Sequence, residues 1–193
     1  MKVLIGCEFS GTVRDAFKAK GHDAWSCDLL DTKVGGNHIK GDLLKILGDG
    51  WDLAIFHPPC TYLCSSGLHW NKRKPERQKQ TEQAIDFVRK LLDAPIERIA
   101  LENPIGCIST RVRKPDQIIQ PFQFGHAESK STCLWLKNLP LLNPTNVLSI
   151  PECGYWNNQT PSRQNKLGPS DNRWKLRSIT YQGFADAMAN QWG

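Results

Sequence analysis

Cys60 follows Pro58 and Pro59 at the end of an apolar run, Asp52-Leu53-Ala54-Ile55-Phe56. Two prolines restrict the backbone and aim the next side chain away from the run. A cysteine held in this way is a candidate nucleophile, reactive as its thiolate. The commoner fate of a cysteine is burial as a small apolar residue. Glu102-Asn103-Pro104 closes a second apolar run, Ile96 to Leu101. A thiolate and a carboxyl brought together suit addition to an electron-poor ring, the sulfur attacking carbon while the carboxyl holds a ring nitrogen. That role calls for a raised carboxyl pKa, so that the group stays partly protonated in an enclosed site. The alternative for Glu102 is a helix cap or a surface acid.

A second set of residues has the chemistry to hold an adenosine-containing ligand. Phe9-Ser10-Gly11 follows the run Val3-Leu4-Ile5-Gly6-Cys7. A small residue and a glycine let backbone approach a ligand closely, and the helix start beyond them offers free N–H groups. An acid about 20 residues further on, at the end of the next strand, can bind both ribose hydroxyls; Asp28 stands there. Asp42 follows a third short strand and can accept from an adenine amino group. The glycine pattern is incomplete, with Thr12 and Val13 where further glycines would stand, and an ordinary strand–turn–helix with surface acids is the alternative.

These residues need strands ending at one edge. Val3 to Cys7, His22 to Asp28, Asp52 to Phe56 and Ile96 to Leu101 read as strands, and Thr132 to Leu136 as a later one. Ser10 reads as the N-cap of a helix carrying Val13, Ala16 and Phe17, which Gly21 ends. Thr81 to Leu92 is a helix with Ala84, Phe87, Val88 and Leu91 on one face, and Tyr181 to Gln191 is another. Alternation of strand and helix predicts an α/β class with a largely parallel sheet and helices on both faces. Residues 1–193 read as a single domain without repeats, and 138–178, rich in Pro, Asn, Ser and basic residues, reads as irregular.

Bulk properties narrow the classes. The 193-residue chain is 39% hydrophobic and 23% charged, with net charge +6. That charge suits an anionic partner, and equally suits simple solubility. No apolar run reaches bilayer length and the first residues carry no signal-peptide pattern, so a cytoplasmic protein without a membrane partner is expected. Seven cysteines without a C-x-x-C pair argue for reduced thiols and against structural zinc, so no metal is expected.

The order Phe9-Ser10-Gly11, Asp28, Asp42, Pro59-Cys60, Glu102-Asn103 resembles the DNA cytosine-5 methyltransferase family across most of residues 1 to 136. The resemblance implies a Rossmann-like fold that uses S-adenosylmethionine, and transfer of its methyl group to C5 of cytosine in DNA. Cys60 would add to C6, Glu102 would engage N3, and Asn103 would position the Pro-Cys loop. Phe9, Ser10, Gly11 and Pro59 would line the cofactor, with Asp28 on its ribose and Asp42 on its adenine. Departures are evident. Thr61 replaces the family's Gln after Pro-Cys, and its Gln-x-Arg-x-Arg motif has no clean match. Lys130, in Glu128-Ser129-Lys130-Ser131-Thr132, occupies a comparable place, with Arg111 and Arg113 as rivals. The last helix lacks the family's Gly-Asn pair.

The largest departure is the short interval 138–178 in place of a full target-recognition region. Its basic and aromatic residues, Arg163 among them, suit phosphate contacts and base stacking. Lys72-Arg73-Lys74, after the nucleophile loop, suits a DNA backbone; a solvated surface face is the alternative for both. A duplex with a flipped cytosine is the expected partner. Three rivals stand beside it. An amino methyltransferase is disfavoured, because His57-Pro58-Pro59-Cys60 lacks the acid and aromatic of Asp-Pro-Pro-Tyr. The same chemistry on a free cytidine nucleotide or single-stranded DNA fits equally, and a DNA-binding or anti-restriction protein on this scaffold is the third.

Overall fold

A computed structural model of the chain describes residues 1–162, 165–168 and 170–193. Its strands are β1 (Lys2–Gly6), β2 (Asp23–Asp28), β3 (His38–Lys40), β4 (Leu53–Phe56), β5 (Arg98–Pro104), β6 (Gln117–Ile119) and β7 (Thr132–Lys137). They form one seven-stranded sheet in the order β3-β2-β1-β4-β5-β7-β6. The pairs from β3 through β5 are parallel, and β7 runs antiparallel to both β5 and β6. This is the largely parallel α/β architecture expected from the alternating pattern, and it is Rossmann-like, as the resemblance implies.

The strands are near-continuous apolar runs because both faces are covered. On one face lie α1 (Thr12–Ala19) and α6 (Gln182–Trp192), whose Val13, Phe17, Phe184, Met188 and Trp192 join Val3, Ile5, Leu53 and Ile55 in one cluster. On the other lies α3 (Pro75–Leu92), packing Ile85, Val88 and Leu91 against Leu4, Ala54, Phe56, Ile99 and Leu101. Fully burying a side chain of this size is worth about 1.5–3 kcal/mol. The sheet is therefore a stiff platform for whatever its strand ends carry.

Chain order supplies the crevice. The chain leaves β1 toward β2 and β3, then returns to the other side of β1 as β4, and such a reversal opens a cleft at the carboxyl ends. Because β7 is antiparallel, its first residue, Thr132, pairs with Pro104 at the last position of β5. Residues just before β7 thus join those just after β4 and β5.

Several boundaries differ from the expectation. Helix α1 is capped by Gly11, in a left-handed conformation (φ 77°), and Ser10 instead accepts the Thr12 N–H at 3.4 Å. Helix α3 starts six residues before Thr81, at Pro75, which suits a first helical position because it has no N–H to satisfy. The helices α2 (Ser65–Leu68) and α4 (Ile108–Arg111) and the edge strand β6 are too short to leave a periodic signal. The interval read as irregular contains α5 (Arg173–Ser178). It is also anchored: Trp156 is buried and stacks on Phe122 at 4.7 Å, and Asn158 exchanges two hydrogen bonds with the Ser129 backbone.

Candidate active site

The nucleophile loop is built by its backbone. Cys60 opens a short 3-10 turn, Cys60–Tyr62, and the Cys64 N–H donates to the Cys60 carbonyl at 2.9 Å. The loop is stitched to the segment after β5: Cys107 N–H donates to Leu63 O at 2.9 Å and Ser65 N–H to Ile105 O at 3.1 Å. Gly106 lies in this seam, where a Cβ would sit 2.0 Å from the Leu63 carbonyl oxygen. Only glycine permits that approach. From inside, Asn103, 1% exposed, donates from Nδ2 to the Pro58 carbonyl at 2.7 Å. The Asn103 side chain thus ties the end of β5 to the Pro-Pro-Cys loop.

Four of the residues singled out in the sequence come together here: Cys60, Glu102, Asn103 and Lys130. Cys60 is an exposed residue. Both Glu102 and Lys130 act electrostatically on its thiol, and Lys130 acts on Glu102. The Lys130 ammonium donates to the Arg177 carbonyl at 3.0 Å, which docks α5 onto this edge.

The charge state of Glu102 departs from the expectation of a raised carboxyl. Burial alone would raise it, but the hydrogen bond from His57 and the charges of Lys130 and His57 hold it below the usual carboxylate range. Cys60 also has an unforeseen partner, Cys64. The two thiols are coupled: the interaction with Cys64 pushes Cys60 up, reinforced by enclosure of its sulfur, and the interaction with Cys60 draws Cys64 down to about 5. The Ser66 hydroxyl, 3.2 Å from the Cys64 sulfur, the Gly67 N–H and the Arg177 charge also favour the Cys64 thiolate. The pair titrates as a unit with one negative charge between two sulfurs.

The second cluster lies at the ends of β1, β2 and β3. Cys7, at φ 60°, turns the chain sharply out of β1 into Glu8. Glu8 is buried, and its carboxylate accepts the N–H groups of Val13 at 2.7 Å and Arg14 at 3.3 Å. The free helix N-terminus expected after Gly11 is therefore occupied by the chain's own acid, whose carboxyl is raised by burial. Phe9 is buried, and its carbonyl accepts from Lys33 N–H at 2.8 Å. Asp28 accepts from Leu30 N–H through Oδ1 at 2.9 Å, and its Oδ2 has no partner among the described residues. Asp42 caps the turn Leu43–Lys45 through Oδ1 at 3.0 Å. Both acids act on the buried Cys27 between them. Carboxylates braced by their own loops fit ribose and adenine donors, whereas the filled helix start does not fit an anionic group.

The predicted nucleic-acid residues divide. Lys72, Arg73 and Lys74 are exposed beyond the nucleophile loop, with the Arg73 guanidinium over the half-exposed Trp70 ring at 5.6 Å. Arg111 is instead bound to Glu82 of α3 through two nitrogens. Arg113 pairs with Asp116 at 2.7 Å and donates to Leu136 O, near the far end of β7, about 13 Å along the strand from Thr132. Neither is placed to take the role in which Lys130 was their rival. Arg163 lies outside the described residues.

Beside Lys130 an open cleft of about 620 Å³ is lined by Lys130, Lys166, Arg177, Glu128 and Tyr181, among others. Its cations adjoin the edge that carries Cys60, since Lys130 acts on Cys60 and Arg177 on Cys64. The sequence placed His57 at a strand end, Cys64 close to Cys60 and Arg177 among the basic residues of 138–178, but gave none of them a part in the Cys60–Glu102 cluster. The one available signal was adjacency, as His57 and Cys64 flank the Pro-Pro-Cys motif. Among the described residues no group of three or more His, Cys, Asp or Glu side chains is gathered to hold a metal, and no helix is long and apolar enough to cross a membrane.

No protein-family model and no curated protein matches the chain. Among solved structures it is similar to a protein provisionally described as a DNA modification methyltransferase encoded within an E. coli prophage. The identity is 13% and the TM-score 0.48, over 78% of this chain. The match spans 52%, about half, of that protein's length.

Proposed function

We infer that the chain transfers a methyl group from S-adenosylmethionine to C5 of cytosine in DNA, through a covalent bond between Cys60 and C6. The observation that carries this reading is the meeting of Cys60, Glu102 and Lys130 at adjoining strand ends, with Asn103 bonded to the Pro58 carbonyl. Neither a binding protein nor an amino methyltransferase needs an exposed thiol beside a half-buried carboxylate.

When bound, the cofactor supplies an electrophilic methyl group, and Asp28 and Asp42 would hold its adenosine half. Cys60 passes its proton to the Cys64 thiolate and adds to C6, so that the C5–C6 π electrons move to C5. Glu102 holds N3 and delivers a proton there, stabilising the electron-rich ring. Lys130 keeps the Glu102 carboxylate in place and opposes the build-up of negative charge. After methyl transfer, loss of the C5 proton to water returns the electron pair, the S–C6 bond breaks, and Cys60 is restored. Catalysis of this kind splits one difficult substitution into easier covalent steps.

The cleft beside Lys130 supplies the DNA contacts in this reading, with Lys166 and Arg177 toward phosphate and Lys72, Arg73 and Lys74 beyond the nucleophile loop. Its modest extent equally favours single-stranded DNA or a free cytidine nucleotide. Nucleoside mass spectrometry, after incubation with cofactor and either duplex DNA, single-stranded DNA or dCMP, separates these substrates. The expected result is 5-methylcytosine from DNA with wild type and none with Cys60→Ser. Near-normal turnover by Cys60→Ser would refute the covalent mechanism, and product from dCMP alone would discard the polymer substrate.

A further inference from the structure

His57 is the residue between β4 and Pro58, and the mechanism above does not use it. The strand order β1-β4-β5 puts three ionisable side chains in a row at adjacent strand ends: Glu8, His57 and Glu102. The His57 ring is 6% exposed, and its Nδ1 lies 3.1 Å from Glu102 Oε2. Its Nε2 is buried without a hydrogen-bond partner among the described residues, a state that interiors rarely tolerate without a reason. On the β1 side the ring acts electrostatically on Glu8, whose carboxylate is engaged with the start of α1. On the β7 side Lys130 acts on Glu102, and Glu102 acts in turn on Cys60 and Cys133.

We propose that His57 is a positioning residue that orients Glu102 and holds the proton that Glu102 passes to a bound pyrimidine ring. A carboxylate cannot protonate a ring nitrogen unless a proton reaches it first. The imidazolium form of His57 donates from Nδ1 to Glu102 Oε2, in line for that transfer. As the thiolate adds to the ring, one proton moves from Nδ1 to the carboxyl and from the carboxyl to the ring nitrogen, leaving neutral imidazole. When the product ring gives its proton back, the same path runs in reverse, and nothing is consumed. The relay works only while His57 carries that proton.

This proposal rests on reading Glu102 as the group that engages the pyrimidine nitrogen. The kinetic test is His57→Gln, which keeps an N–H for Glu102 but cannot titrate. Its kcat should drop about 10²-fold, the usual range for losing a proton donor. KM for the cofactor should stay within about twofold, and the pH profile of kcat should differ from that of wild type on its alkaline side. Wild-type kcat with an unchanged alkaline limb would overturn the proposal. A second measurement needs no turnover. In the resting protein, NMR should show a downfield, hydrogen-bonded Nδ1 proton on His57 that is lost in Glu102→Gln. If that proton is absent from wild type, the proposal falls, even if cytosine is methylated. If the proton is present but no substrate is methylated, the reading of the reaction fails instead.

Discussion

Replacing Asn103 with alanine removes the hydrogen bond that joins the end of β5 to the nucleophile loop. Both ends of this bond are buried: Asn103 is 1% exposed, and the Pro58 carbonyl it satisfies belongs to a buried residue. Orphaning a buried carbonyl costs about 1–3 kcal/mol. One term works the other way, because Asn103 Oδ1 is itself buried without a partner among the described residues, and alanine removes that penalty. The net cost therefore falls toward the lower half of the range, about 1–2 kcal/mol. At about 2–4 °C per kcal/mol for a domain of this size, the melting temperature should drop by about 2–8 °C. The effect on rate should be larger than the effect on stability. Released from Asn103, the Pro-Pro-Cys loop keeps its seam to residues 105–107 and the bonds from Arg77 and Thr81 to Thr61 O and Tyr62 O, but loses the tie at Pro58, and a displacement of about 1 Å at the reacting atom costs about 10²-fold in rate. Calorimetry and single-turnover methyl transfer measure the two effects separately. A melting temperature within about 1 °C of wild type would mean that the bond is not made. A full stability loss with an unchanged rate would mean that Asn103 holds the fold and does not aim Cys60.

The other predictions follow from the same edge of the sheet. Gly106→Ala puts a Cβ 2.0 Å from the Leu63 carbonyl, a clash the rigid seam cannot absorb. It should cost about 1–3 kcal/mol in urea unfolding and lower turnover by more than tenfold; wild-type values for both would show that the seam opens freely. Glu102→Gln tests the charge of the half-buried carboxylate. The folded-state pKa of Glu102 is lowered, so its contribution to stability is present above the unfolded value near 4.5 and is lost as pH falls below it. Wild type should lose stability more steeply than Glu102→Gln below pH 4.5, and parallel acid-unfolding curves would contradict the lowered carboxyl.

Most of the platform was legible in the chain because its strands are buried on both faces and therefore read as short apolar runs. Val3 to Gly6 and Leu53 to Phe56 show this plainly. What stayed hidden was set by tertiary contact. Helix α3 begins with a polar turn, Glu76 to Gln80, that faces solvent and carries no periodicity, so only Pro75 marked its start. Strand β6 is three residues long and exists because β7 offers it an edge. The interval 138–178 looked shapeless because its anchors are single residues, Trp156 on Phe122 and Asn158 on Ser129, which have no sequence pattern. Motif spacing singled out Cys60 and Glu102 as candidates. It could not show that Glu8 would occupy the helix start, or that Cys64 would share a proton with Cys60.

The misjudged charge of Glu102 has a specific origin. A carboxyl inferred from motif position alone invites the assumption that burial dominates, and burial does act in that direction here. The structure adds a cation and an imidazole that the motif does not contain, and together they reverse the balance. Each comes from a different element: Lys130 arrives because β7 is antiparallel and starts at the edge that carries Cys60, and His57 because β4 lies beside β5. In the proposed reaction, an acid that is ionised at rest must receive a proton at the moment it is needed. Two polar atoms near Glu102, His57 Nε2 and Asn103 Oδ1, are buried without a hydrogen-bond partner among the described residues, so the polar cluster there is incompletely bonded. The same cluster would be a poor choice for a purely structural core, where each such atom would carry a cost with nothing to offset it.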